Sequence, residues 1–263
     1  MIGSAKVEMK NLFESLAKIQ PDLNRSMTIA VKDAAKVVVR KAAEMTPPGS
    51  NMVQGKDAQR RGEKKIASDI KRVYATASYA YETIKNRAAA SAFWLMIKGR
   101  KANLQEAEKL LHENTYNVRL KNAQLSRALD PSLHKAARKR GEVGKRQAVR
   151  QVITSSAKSG PIEKYIREKQ KMVGLWASGW MPAVVKLKIS KLPSWIKRHK
   201  DKGKGRCDFK QTRDSFEMIA ANSTGFGSIS RILPYAIAGA RGAMIKQAEV
   251  LKAKAIAKAG LKK

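Results

Sequence analysis

Between Leu23 and Met45 the apolar residues Leu23, Met27, Ala30, Val31, Ala34, Val38, Ala42 and Met45 recur at steps that keep them on one side of an α-helix. Pro47, Pro48 and Gly49 follow, a triplet through which a helix cannot continue. A fold for this chain therefore has to lay a core along that stripe, and the remaining segments are read for what supplies it.

Residues 50–65 are polar and charged and read as a loop. Residues 70–81 (IKRVYATASYAY), rich in Val, Thr and Tyr, predict a strand. Residues 88–97 (AAASAFWLMI) are apolar on all sides and should be buried, and Asn103 with Glu106 makes a capped start for a helix through His112. Asp130-Pro131 opens another helix. It leads into residues 136–150 (AARKRGEVGKRQAVR), where Gly141 and Gly144 each weaken the helix by about 1 kcal/mol relative to alanine. After a loop at 155–160, Pro161 starts a helix expected to reach Val185. Residues 215–221 (SFEMIAA) predict a strand closed by residues 222–227. Pro234 then opens a last helix with a stripe of Ile237, Ala240, Met244, Ala248, Leu251 and Ala255.

Charge narrows the partners. The 263 residues hold 55 Lys and Arg against 21 Asp and Glu, a formal net charge of +34. A compact chain so charged repels itself unless a polyanion or an acidic surface offsets it, and nucleic acid is the commonest such polyanion. Two runs concentrate the charge: residues 136–150, with Arg138, Lys139, Arg140, Lys145, Arg146 and Arg150, and residues 197–206 (KRHKDKGKGR), with Lys197, Arg198, Lys200, Lys202, Lys204 and Arg206. Neither run interleaves aromatic rings, so contact with double-stranded DNA should rest on backbone charge and not on base reading. The longest uncharged apolar stretches, 88–97 and 172–185, are shorter than the roughly 20 residues a spanning helix needs, which excludes a membrane-spanning role. Glu8 and Glu14 interrupt what would be the apolar core of a leader, so residues 1–23 read as a short amphipathic helix.

Chemistry is sparse. His112, His134 and His199 stand in separate segments with no carboxylate or cysteine at ligand spacing, and each reads as a solvated or hydrogen-bonded structural residue. Cys207 is the one cysteine, which leaves no disulfide framework and no zinc set and fits synthesis in a reducing cytoplasm. The KGKGR stretch at 202–206 lacks the strand before and helix after of a nucleotide-binding loop, and reads as a mobile loop touching phosphates by charge. The expectation is a non-catalytic protein with no catalytic residue, metal or cofactor.

One segment stands apart from this basic background. Residues 172–187 (MVGLWASGWMPAVVKL) carry no charge before Lys186. On a helix Val173, Trp176, Trp180 and Val184 share a face, while Gly174, Ala177 and Ser178 beside them allow another backbone to come close. Trp176 is expected in the core, and Gly174, Ala177 and Trp180 at a subunit interface, where tryptophan serves as a large rigid contact. Trp195 could close the same cluster.

The helix ending in AAEMTPPG, the strand leading to YAYE, the phrases VGLWASGWMPAVVKL and LPSWIKRH, the strand MIAANSTGFG and the long last helix together resemble the tail-completion or tail-terminator (neck) proteins of long-tailed double-stranded DNA phages. The resemblance implies an α+β, mostly helical fold in which a small antiparallel sheet is flanked by an N-terminal and a long C-terminal helix. It assigns residues 1–87 and 161–263 to this core and leaves 88–160 as a helical, basic insertion. It further implies a ring of identical subunits in the virion neck, made in the host cytoplasm, with portal, neck or tail proteins as neighbours. A second reading needs no ring: a DNA-binding internal virion or nucleoid-like protein without sequence preference.

Overall fold

The stripe along residues 23–45 does form a helix; of its members Val31, Ala34, Ala42 and Met45 are buried, Val38 is half-buried while Val39 and Ala43 beside the stripe are buried, and the side chains of Leu23, Met27 and Ala30 lie outside the description. It ends where the sequence predicts, and a Cβ on Gly49 would stand 1.9 Å from the Glu44 carbonyl oxygen, so only glycine fits there. The computed structural model describes residues 5–7, 23–98, 103–139, 148–155, 160–211, 216–224, 234–238, 241–242, 245–246, 249–250 and 253. In chain order the elements are β1 (Ala5–Val7), α1 (Leu23–Met45), α2 (Gly55–Val73), β2 (Tyr74–Thr76), α3 (Ala77–Glu82), α4 (Arg87–Lys98), α5 (Leu104–Asn114), β3 (Gln124–Ser126), α6 (Pro131–Lys139), β4 (Gln151–Ile153), α7 (Gly160–Gln170), α8 (Met181–Lys186), α9 (Ser194–Lys197), β5 (Gly205–Gln211) and β6 (Phe216–Asn222), with 3-10 turns at Val118–Leu120 and Ala177–Trp180. The fold is α+β and mostly helical. The chain divides into two compact units, Met1–Gly62 with Val173–Lys263, and Glu63–Met172, so the inserted unit is wider than the expected 88–160 at both ends.

In the first unit β1, β6 and β5 form an antiparallel sheet in that order, with Ala5 opposite Ala220 and Cys207 opposite the same residue on the other side. Helix α1 packs on the Ala177–Trp180 turn, α8 and β6. The described residues from 234 onward are helical. Of the stripe expected there, Ile237 is exposed, and Ala240, Met244, Ala248, Leu251 and Ala255 lie outside the described residues. Two expectations fail. Ala5–Val7 is a strand and not part of a helix, the rest of residues 1–22 lying outside the description. The helix expected from Pro161 to Val185 stops at Gln170, and at Gly174 the backbone takes φ 99°, which interrupts any helix.

The second unit holds a parallel sheet that the sequence reading did not foresee, ordered β2-β4-β3. Successive strand residues face opposite sides, and the core divides accordingly. Ala75, Val152 and Leu125, aligned across the three strands, join α4 and α5 through Phe93, Ile97, Ala107 and Leu111. Tyr74 and Ile153, one residue along, join α2, α6 and α7 through Ile70, Ala137, Ile162 and Ile166. The unit is thus helices, sheet, helices, and the central strand is buried on both faces, as parallel strands are.

The loop expected at 50–65 is largely α2, and the strand expected at 70–81 shrinks to Tyr74–Thr76. The segment 88–97 is not buried all round: α4 buries Ala90, Phe93 and Ile97 but leaves Leu95 74% exposed. Helix α5 starts as predicted, with Asn103 Oδ1 accepting from the Glu106 N–H at 3.2 Å. Losing that cap in Asn103→Ala is expected to destabilise the second unit by about 1 kcal/mol. Urea unfolding followed through Trp94, which lies in this unit, measures it.

Candidate polyanion-binding surfaces

The basic run of the first unit is built on a fixed backbone. Pro193 opens α9, and the turns after it carry the chain to β5. His199 is buried, its Nε2 3.0 Å from the Val173 carbonyl oxygen, and the neighbouring Arg198 donates from Nη2 to the same oxygen at 2.7 Å. Lys197 Nζ donates to the Ser190 carbonyl at 2.8 Å.

Further on, Thr224 holds both sides of the chain at Lys204: its Oγ1 accepts from the Lys204 N–H at 2.7 Å and donates to the Lys204 carbonyl at 2.9 Å. Asn222 Nδ2 in turn donates to the Trp176 carbonyl at 2.8 Å. The KGKGR stretch is therefore not the mobile loop expected. Its two glycines are seats for neighbouring backbone. A Cβ on Gly203 would come within 2.2 Å of the Ser178 carbonyl oxygen, and one on Gly205 within 1.9 Å of that of Gly179. With the glycines facing inward, Lys202, Lys204 and Arg206 stand outward at alternate positions and are exposed, as are Lys197, Arg198 and Lys200. Asp208 offsets part of this charge, lying 3.7 Å from Arg206 Nε and 3.8 Å from Lys186 Nζ, but such exposed pairs contribute at most about 1 kcal/mol.

The second run fares differently. Arg138 and Lys139 are exposed in the last turn of α6, where cations suit the helix dipole. Arg140, Lys145 and Arg146 lie outside the described residues. Arg150 is a correction. It is partly buried, and its backbone is tied into the sheet, the N–H donating to Val73 O at 2.8 Å and the carbonyl accepting from Gln124 N at 3.0 Å. That leaves it outside an open basic surface.

The proposed subunit interface is also corrected. Gly174, Ala177 and Trp180 are all buried within the first unit. Trp180 Nε1 donates to Thr46 Oγ1 at 3.0 Å, and that hydroxyl donates to the Ala42 carbonyl at 2.7 Å, joining the indole to the end of α1. A Cβ on Gly174 would meet the Trp195 carbonyl oxygen at 2.1 Å, so Trp195 does close the cluster. The small residues do admit a second backbone, but it is the chain's own. Trp176, expected in the core, is the less buried of the pair.

The histidines are held by hydrogen bonds, as expected. His112 Nε2 lies 3.0 Å from Ala123 O. His134 is buried with Nδ1 3.2 Å from Tyr165 Oη, the two rings meeting edge to face, and its backbone N–H donates to Tyr74 Oη at 3.2 Å. Burial, with Arg138 and Lys169 beside it, pushes His134 down to about 4. Burial raises the Cys207 thiol, which disfavours the reactive thiolate. Among the described residues no group of three His, Cys, Asp or Glu could hold a metal ion, and no helix is long and apolar enough to cross a membrane.

Sequence reading missed cations on helices it did not expect or did not single out: Lys64 and Lys65 on α2, and Lys164 and Arg167 on α7, all exposed. In comparisons with family models, curated proteins and solved structures, nothing matches this chain.

Proposed function

We propose that the chain is a non-catalytic virion protein that holds double-stranded DNA through its phosphate backbone. The observation that carries this reading is the outward row of Lys200, Lys202, Lys204 and Arg206 on a stretch whose backbone is tied down at Thr224 and seated on Gly203 and Gly205. A backbone already tied down loses little further freedom when the cations on it meet a phosphate row, and contacts to phosphate carry no information about the base. Fluorescence anisotropy on labelled duplexes across a salt series tests it. The expected result is a linear fall of log affinity with log salt, by about −0.9 for each phosphate contact, with equal affinities for unrelated sequences. A salt-independent affinity or a strong preference for one sequence overturns it.

Placement at the head-tail junction, in a ring with portal, neck or tail proteins around it, draws support from the first unit. Helix α1, the small antiparallel sheet and the helical state of the described residues from 234 onward are element types that the resemblance to neck proteins implies. With Gly174, Ala177 and Trp180 internal, ring contacts must come from other surfaces. Mass photometry separates this from the internal, nucleoid-like alternative: a single closed oligomer supports the neck, and a monomer that still binds duplex supports the other.

A further inference from the structure

The helical layer of the second unit carries a basic face of its own. Helix α2 meets α7 along one flank, where Lys71 Nζ lies 3.0 Å from Glu163 Oε1 and Gln170 Nε2 donates to Glu63 O at 3.1 Å. Around the helix axis Asp69 falls on the opposite flank, where Lys65 and Arg72 of the same helix and Arg138 of α6 act on its carboxylate. The ridge between those flanks bears Lys64 and Lys65, and the adjoining helices add Arg138 and Lys139 from α6 and Lys164 and Arg167 from α7. All six are exposed, and among the described residues none of them is engaged in an ion pair.

The chemistry of this face selects a phosphate backbone. Its aromatic rings, Tyr165 and His134, are both buried, with Lys169 Nζ 5.1 Å from the Tyr165 ring centroid. The exposed tyrosines of the unit, Tyr79 and Tyr116, belong to α3 and to the stretch after α5 and not to these three helices. Unpaired bases would therefore find no stacking partner, whereas a duplex offers one phosphate charge per about 1.7 Å of its axis. On α7, at about 1.5 Å per residue, Lys164 and Arg167 stand about 4.5 Å apart along the axis, close to one base-pair step of about 3.4 Å.

Resting on the duplex-binding reading above, we propose that this face is a second duplex-binding surface, separate from the run at 197–206, and that one chain bridges two duplex segments. Mixed duplexes carrying donor and acceptor dyes test it. Wild type should bind two duplexes per chain and give energy transfer that rises with added protein and fades in excess, when each duplex has a chain to itself. A variant with Lys64, Lys65, Arg138, Lys139, Lys164 and Arg167 each changed to Gln should bind one duplex, give no transfer, and show a salt slope reduced by about 0.9 for each phosphate it no longer neutralises. Lys200→Gln, Lys202→Gln and Lys204→Gln together should also reduce transfer while leaving the second face occupied. A companion in which each of the six cations is exchanged for the other basic type keeps the charge and should bridge as wild type does. Undiminished transfer in the Gln variant, or transfer lost equally in the charge-retaining companion, overturns the second surface while duplex binding stands. No duplex binding by wild type overturns both readings.

Discussion

Trp180→Ala is expected to destabilise the first unit by about 3 to 5 kcal/mol, and Trp180→Phe by only about 1. The indole is 4% exposed and its N–H donates to Thr46 Oγ1, so truncation to alanine both opens a cavity beside α1 and removes the donor from a buried hydroxyl. Phenylalanine keeps most of the packing and loses the hydrogen bond together with the remaining part of the indole volume. Against a typical total of about 5 to 15 kcal/mol, the alanine variant forfeits a large share of the stability. Urea unfolding reports it through Trp176 and Trp195, which remain in the same unit. An alanine variant that kept its unfolding midpoint but shed subunits on sedimentation would return Trp180 to an interface.

The stability of the second unit is expected to fall by up to about 3 kcal/mol as pH drops from about 6.5 to 4, because of His134. The unfolded chain takes up the imidazole proton near 6.5, whereas the folded unit refuses it until about 4, since burial and the charges of Arg138 and Lys169 oppose it. Between those values the unfolded state binds more protons, so the contribution is complete above 6.5 and lost as pH falls toward 4. The groups facing the ring are Tyr165 and Lys169 from α7, Tyr74 from β2 and Arg138 on its own helix. Asp69 works in the opposite sense. Burial raises its carboxyl, so the folded unit takes that proton first and gains stability as pH falls through the carboxylate range. The His134 effect is therefore best read near pH 6 and above the Asp69 window. Urea midpoints followed through Trp94 should decline across this range in wild type and stay level in His134→Gln; an equal decline in both would acquit the histidine.

Local rules accounted for several elements. The apolar period of residues 23–45, the Pro47-Pro48-Gly49 stop, the Asn103 cap and the Pro131 start each depend on residues within a turn or two of one another, and all four stand as predicted. Helix α2 escaped because its inward face begins with Ala58 and Gly62, which hydropathy does not mark, before Ile66, Ile70 and Val73. The spacing of four was there to be read. Glycine is needed at 62 because a Cβ would come within 2.7 Å of Pro48 Cγ. At 70–81 the Val, Thr and Tyr content signalled a strand correctly, but Thr76 Oγ1 accepts from the Tyr79 N–H and turns the chain into α3 after three residues.

For the candidate site, the amino-acid sequence by itself determined the excess of cations and where the run at 197–206 falls, because charge is a property of composition and order. Whether each charge reaches solvent was decided only by tertiary structure. Arg150 and Lys139 belong to the same basic run, yet one is drawn in beside the central strand and the other is exposed in the last turn of α6. Lys64, Lys65, Lys164 and Arg167 come from distant segments and share a surface only because Ile70, Ala137, Ile162 and Tyr165 pack beneath them. The tryptophan segment shows the same division. Its small residues signalled close approach of another backbone, but which backbone it would be depended on contacts with Trp195, Gly203 and Asn222, 20 or more residues along the chain, and such pairings are set by the packing of the whole unit and not by neighbours in sequence.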